Sequence, residues 1–297
     1  MILVVGATGV VGGMITRGLL EQGREVRILV RRDSPSSQLV QQGLATSAEE
    51  LIASGAHAVH GDLRDRASLD AALEGVDAVI STANSAMRGG ADNPQNVDLE
   101  GNRNLIEAAR DANVEHLVFI SLLGADPDHP ALFMRAKGQS ESALRASGIG
   151  YTILAPTAFM EFWPAMVVGM PALQGRPVTL VGEGNRRHSF VSNRDVASFA
   201  VAAVGNSAAR NRHLAIGGPE ALSWRDVVAT YERVLGRSIP VEYVAMGDPV
   251  PGLPEPMPEM LAGMETYDSV VEMEETSRTF DVPLTTLERF AQEQVAS

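Results

Sequence analysis

The first half of the chain alternates between two hydrophobic periods. Met1–Val5 (MILVV) is a short continuous apolar run, followed by a glycine-rich turn and then helically spaced apolar residues through Leu20. Val26–Val30 reads as a second strand, Ala58–Val59 leads to a third, Val76–Ile80 is a fourth and His116–Ile120 (HLVFI) a fifth. Between them Ser68–Leu73 and Asn96–Ala109 carry helical spacing, the latter with Leu99, Leu105, Ile106 and Ala109 on its apolar face. Short apolar strands separated by helices predict βαβ units and a parallel sheet covered on both faces. Right-handed crossovers make that a doubly wound α/β sheet.

The second half is less regular. Tyr151–Leu154 reads as a sixth strand ending at Pro156, and Thr157–Leu173 is apolar and rich in Met and Phe. Val178–Val181 and His188–Val191 look like strands around a Gly-Glu-Gly turn. Asp195–Val204 and Ser223–Leu235 read as helices, the second with Ser223 as N-cap. Asp248–Pro258 holds five prolines and reads as a loop or lid over the site. The last helix is expected to start at a capping box, Thr285 to Glu288, and to run to about Gln294.

Gly6-Ala7-Thr8-Gly9-Val10-Val11-Gly12 lies between the first strand and the first helix. In that position Gly6 permits a tight turn, Gly9 lets a diphosphate approach, and Gly12 lets helix and sheet pack closely. The N–H groups from Thr8 to Gly12 then face the diphosphate of a dinucleotide at the helix N-terminus. The second strand ends Val30-Arg31-Arg32-Asp33. An acid directly after that strand suits the ribose 2′-hydroxyl of NAD, whereas Arg31 and Arg32 suit the 2′-phosphate of NADP(H). Asp62-Leu63, after the third strand, can take the adenine amine and ring, although Asp62 could equally cap the following helix. Thr82-Ala83-Asn84 ends the fourth strand at the carboxyl edge, where open α/β sheets bind ligands.

Composition narrows the classes. The 297 residues are 45% hydrophobic and 21% charged, which excludes collagen-like, disulfide-framework and disordered chains. A net charge of −13 argues against nucleic acid as a partner. Cysteine is absent, so thiolate metal sites, disulfides and cysteine nucleophiles are excluded. The six histidines show no metal-ligand spacing, so no metal site is expected. The apolar runs are too short for a membrane span and the first residues lack a basic leader region, so a cytoplasmic protein is expected. Of the 24 basic residues, 23 are arginine, and the one lysine is Lys137. That singularity points to a task for a compact ammonium rather than generic surface charge.

The chain resembles the atypical short-chain dehydrogenase/reductases, and within them the NmrA-like group. The resemblance rests on GATGVVG, Val30-Arg31-Arg32 and Gly61-Asp62-Leu63. It continues through Val97-Asp98 with Gly101 and Asn104–Ala109, Phe119-Ile120-Ser121, Ala136-Lys137 with Glu141, Tyr151–Pro156 with Phe159-Met160-Glu161, and Phe190-Val191 with Asp195-Val196-Ala197. These pieces run in order over about two thirds of the chain. The resemblance implies a Rossmann-type fold with a smaller C-terminal substrate lobe. It places an NAD(P)-binding domain at 1–155, rejoined by about 186–220, and the lobe mostly at 156–297. It also implies Lys137 and Ser121 as catalytic residues, with Lys137 on the nicotinamide ribose and Ser121 on the acceptor's oxygen or the nicotinamide. Pro156 and Phe159 would flank the cofactor, and Phe133, Phe159, Met160 and Trp163 would line the acceptor pocket.

One departure matters. The extended family pairs its lysine with a tyrosine four residues earlier, and that position here is Phe133. A phenyl ring has no proton to give. Lys137 and Glu141, four apart on a helix, could pair on one face. His129 is a weak candidate proton donor and reads more simply as a surface residue. The expectation is an NADPH-dependent reductase passing hydride to a small apolar conjugated acceptor of the quinone, dye or enone type. The alternative is a non-catalytic NADP(H)-binding redox sensor that contacts a protein partner.

Overall fold

The computed structural model describes residues 1–31, 40, 45–86, 88–253 and 256–296. In chain order the elements are β1 (Ile2–Val5), α1 (Val10–Glu21), β2 (Val26–Val30), α2 (Ala48–Ala53), β3 (His57–His60), α3 (Arg66–Ala72), β4 (Ala78–Ser81), α4 (Asn102–Asp111), β5 (His116–Ile120), α5 (Leu132–Ala146) and β6 (Gly150–Pro156). They continue with α6 (Met170–Leu173), β7 (Val178–Val181), α7 (Asn193–Ala203), β8 (Arg212–Ile216), α8 (Trp224–Leu235), β9 (Val241–Val244), α9 (Met257–Met264), α10 (Glu274–Phe280) and α11 (Leu287–Ala296). The chain divides into two compact units. One comprises Met1–Ala155 with Val196–Ala215, the other Pro156–Asp195 with Ile216–Ser297.

The first unit is built on a seven-stranded sheet in the order β3-β2-β1-β4-β5-β6-β8. β1 pairs in parallel with β2 on one side and β4 on the other, so the topology reverses at β1. In doubly wound sheets such a reversal opens a crevice at the carboxyl ends of the two flanking strands. Every residue of β1, β4 and β5 is buried, as strands covered on both faces require. The core gathers Leu3, Val79, Leu105, Leu117, Phe119 and Ile153. His116 belongs to this scaffold. Its Nε2 lies 2.9 Å from Thr152 Oγ1, its Nδ1 accepts from Gly205 N–H at 3.2 Å, and burial pushes its pKa down. It is therefore a neutral tie between elements.

The helix expected at Asn96–Ala109 is two elements. Pro94–Gly101 is π-helical, with Asn93 as its cap, and α4 continues from it. The wider turn is invisible to hydrophobic periodicity, and π segments are frequent at functional sites. Asp65, not Asp62, caps α3, by accepting from Ala67 N–H.

The second unit has a two-stranded parallel sheet, β7 with β9, and a core that includes Phe190, Trp224, Tyr231, Leu261 and Leu287. Two expectations are corrected here. His188–Val191 does not pair with Val178–Val181. Gly182 N–H continues the β7 ladder to Val244 O, while His188 bridges Leu222 and Ser269 and Val191 bridges Phe159. The cap of α11 sits one residue later than expected. Thr285 gives both its N–H and its hydroxyl to Asp195, so Thr286 Oγ1 takes the bond from Arg289 N–H. Ser223 caps α8 as expected, in a reciprocal box with Asp226. The proline-rich segment is not a bare loop, since Val250 and Met257 are buried in the unit's core and α9 begins at Met257.

Candidate active site

The crevice is lined first by the glycine loop. Gly6 has φ +85°, a conformation that favours glycine, and a Cβ there would lie 2.5 Å from Thr82 Oγ1. A Cβ on Gly12 would sit 2.1 Å from Gly6 O, so only glycine lets α1 approach β1 this closely. Gly9 N–H bonds to Gly6 O at 3.0 Å and closes the loop. Gly9 also occupies the N-cap position of α1, with no side chain capping the first turn. Gly6, Thr8, Gly9, Val10 and Val11 are half-buried, so the uncapped N–H groups remain reachable. An open, glycine-lined helix N-terminus of this kind presents the free N–H donors that an anion accepts. Thr82 Oγ1 donates at 3.3 and 3.2 Å to Val5 O and Gly6 O, which joins the ends of β1 and β4. Ala83 is half-buried and Asn84 exposed.

A charged cluster stands at the end of β2. One nitrogen of Arg31, Nη1, donates to both carboxylate oxygens of Asp92, at 2.8 and 3.1 Å. Arg88 reaches the same carboxylate at 3.3 Å and Arg64 at 3.7 Å. Arg64 in turn grips Asp62 through Nε and a terminal nitrogen, at 3.0 and 2.6 Å. The bond from Arg64 holds the Asp62 carboxyl below the usual range against partial burial. Burial opposes ionisation of Asp92 too, but the arginines win and hold it low. Arg32 lies outside the described residues. Leu63 is buried among apolar residues, beside the close approach at Gly101. Asp92 was not flagged by the sequence, because Arg31 and Arg64, which meet it, lie on separate loops.

Lys137 is 2% exposed. Its Nζ lies 3.3 Å from each of Ala83 O, Ile120 O and Asp98 Oδ1, and 4.8 Å from the centre of the Phe119 ring. The expected Lys137–Glu141 pair is replaced by Lys137–Asp98. Asp98 is fully buried, and its Oδ2 accepts from Ser85 N–H and Oγ–H at 2.9 and 2.5 Å. Oδ1 makes no well-aligned hydrogen bond, so its link to Lys137 is charge–charge. Burial lowers the lysine pKa, and Asp98 only partly offsets it. The π-helical widening of Pro94–Gly101 carries Asp98 on the segment packed against α5, where Ser140 Oγ–H bonds to Asp98 O at 2.6 Å.

Glu141 instead serves Ser121. Ser121 Oγ and Glu141 Oε1 are 2.5 Å apart, both residues being buried. The second carboxylate oxygen receives Arg145 at 2.8 Å and lies 3.4 Å from His213 Nε2. Burial opposes its ionisation, but contacts from His213, Ser121 and Arg145 hold the Glu141 carboxyl below the usual range. An ionised Glu141 has no proton to give, so Ser121 is the donor and keeps its lone pairs free. Phe133, in the first turn of α5, is half-buried. His129 accepts from Ala131 N–H through Nδ1.

In the second unit Phe159 is half-buried and Pro156 buried. Met160 and Trp163 are 1% and 8% exposed and belong to that unit's apolar core. Glu161 was matched in sequence but given no role. Its Oε1 accepts from Asn193 N–H at 2.9 Å, and its buried Oε2 has no hydrogen-bond partner. Burial, with the charge of Asp195 adding to it, pushes the Glu161 pKa up to about 7. Among the described residues no group of His, Cys, Asp and Glu is arranged to hold a metal ion, and no helix is long and apolar enough to cross a membrane.

The NmrA-like family model matches residues 1–292. The chain belongs to the NmrA-like family. A (4-alkanoyl-5-oxo-2,5-dihydrofuran-3-yl)methyl phosphate reductase of Streptomyces griseus is 35% identical over 82% of this chain and 76% of its own. An NAD(P)H azoreductase of Xenophilus azovorans is 32% identical over 83% of this chain and 77% of its own. An NADPH-dependent quinone oxidoreductase of Escherichia coli, solved with NADPH, shares the NmrA-like chain's fold with a TM-score of 0.80 at 23% identity, covering 99% of both chains.

Proposed function

We propose that this NmrA-like protein is an NADPH-dependent reductase of a small, apolar, conjugated acceptor, acting in the cytoplasm. The observation that carries the reading is the glycine cradle, where a side chain at Gly6 or Gly12 would collide with the loop and the uncapped first turn of α1 remains open. Its residues fit the group. The cradle suits the diphosphate, and Arg31, with Arg32 beside it in sequence, suits a 2′-phosphate. Asp62 and Leu63 serve the adenine, and Thr82, Ala83 and Asn84 the nicotinamide half. The reduced nicotinamide supplies two electrons and one hydrogen to the acceptor.

The chain's own residues position and polarise. Lys137 holds the carbonyls of Ala83 and Ile120, and so fixes the ends of β4 and β5. With its ammonium turned toward Ala83, Ile120 and Asp98, it offers positive potential near the ribose more than a free bond. The Ser121 hydroxyl donates its hydrogen bond to Glu141, so it is not free to donate to a carbonyl oxygen of the acceptor. It can accept an N–H, and we assign it the carboxamide of the nicotinamide. Phe133 donates no proton, so the reduced acceptor takes one from water. That suits a conjugated product anion, whose charge is delocalised, better than the alkoxide of a simple ketone. The azoreductase and the furanone phosphate reductase among the relatives are named for conjugated acceptors, the second bearing a phosphate, and support the conjugation of the acceptor. Phe133, half-buried, is the apolar group of the first unit assigned to the acceptor, whereas in the second unit Met160 and Trp163 pack into the apolar core.

The test is a fluorescence titration with NADPH and NADH, followed by NADPH oxidation with a panel of quinones, azo dyes and enones. Turnover with at least one conjugated acceptor and none with simple ketones is expected. Tight NADPH binding without any turnover would favour the second reading, a redox sensor with a protein partner, which the loss of the tyrosine at Phe133 also fits. A protein that binds neither nucleotide would refute both.

A further inference from the structure

Resting on that cofactor reading, we propose that Asp92 is an internal stand-in for the 2′-phosphate: it partly neutralises Arg31, Arg64 and Arg88 until the phosphate displaces it, and so sets the NADPH-to-NADH preference. Three guanidiniums, from Arg31, Arg64 and Arg88, reach within 4 Å of this one carboxylate. They come from separate loops, after β2, after β3 and after β4. Like charges gathered this way repel unless an anion sits between them. Arg31 Nη1 already spans the two oxygens of Asp92, a charge-assisted contact that two oxygens of a phosphate would also accept.

The cluster is open to a ligand. The side chains of Arg31, Arg64 and Arg88 are 31%, 39% and 45% exposed and that of Asp92 18%. Asp62 is already committed to Arg64. With Asp92 in place the cluster carries three positive and two negative charges. With Asp92 swung out it carries two net positive charges, a match for a phosphate monoester that is nearly dianionic at neutral pH. The segment that bears Asp92 can supply that swing. It contains Gly89 and Gly90, Gly90 at φ +63°, and no atom lies within 4 Å of a Cβ built on either. NADH lacks the phosphate and leaves Asp92 on Arg31.

Displacing Asp92 therefore costs NADPH binding free energy that NADH does not lose. Asp92→Asn keeps the size and removes the competing charge. Calorimetric titration of the variant should show NADPH and 2′,5′-ADP binding about tenfold tighter than wild type, with NADH and 5′-ADP unchanged within about twofold. Arg88→Gln should weaken NADPH and 2′,5′-ADP about fivefold and again spare NADH. Equal shifts for both cofactors in Asp92→Asn would overturn the proposal. So would weaker NADPH binding, which would make Asp92 a positioner of Arg31. Selective loss of NADH would also overturn it, by making Asp92 a ribose ligand. Wild-type protein that takes up neither cofactor would refute the underlying cofactor reading instead.

Discussion

Replacing Lys137 with methionine strands a carboxylate in the interior. Asp98 is fully buried, and its charge is balanced across 3.3 Å by the Lys137 ammonium. Ser85 satisfies Oδ2 but leaves Oδ1 without a hydrogen bond. Methionine matches the length of the lysine stem, so packing loss is small and the electrostatic loss dominates. Removing one partner of a buried pair costs about 3–5 kcal/mol, because the remaining charge is uncompensated. The same change frees the carbonyls of Ala83 and Ile120, which adds to the loss. With an m-value of about 3 kcal/mol/M, the urea midpoint should fall by about 1–1.7 M. Lys137→Met combined with Asp98→Asn removes both charges and should recover about half of the loss. Lys137→Arg should not rescue, since a planar guanidinium does not fit a site closed around a point charge. A single-variant cost below about 1 kcal/mol, or a double variant no more stable than the single, would refute the idea that Lys137 works through Asp98.

Gly12→Ala places a methyl 2.1 Å from Gly6 O, a rigid backbone atom, so it should cost about 3 kcal/mol and abolish nucleotide uptake; an unchanged melting temperature would contradict the close approach. Glu141→Gln can donate to Ser121 and turn the serine proton outward. NADPH affinity should then fall about fivefold while 2′,5′-ADP, which has no nicotinamide, binds as before, and an equal loss for both ligands would count against the assignment. Glu161 gives the pH dependence. Its folded pKa of about 7 lies above the ordinary 4.5, so the stability it confers is present below about pH 4.5, is lost as pH rises to about 7 and is flat beyond. The loss is about 3 kcal/mol at most. Glu161→Gln should flatten urea midpoints over that range, and an undiminished slope would show that another group titrates.

The places of the first strands along the chain, the glycine loop and the singular lysine were all legible in the residues. Each is a local signal: an apolar run of strand length, a glycine spacing between strand and helix, a residue type used once. β1, β2, β4 and β5 fall where short apolar runs place them, because strands buried on both faces need continuous apolar sequence. What the lysine and the serine bond to was not legible. The α5 helix rotates Lys137 toward Asp98 and Glu141 toward Ser121, although Lys137 and Glu141 are the pair that helix spacing suggests. The choice depends on a π-helical turn, and no one-dimensional pattern reports the width of a helix. Asp92 met Arg31 across 61 residues for a similar reason: only the packing of β2 and β4 on either side of β1 brings their loops together. Local sequence decides which backbone states are cheap. Charge partners are decided by which loops the sheet topology gathers at one edge, and that is a property of the assembled fold.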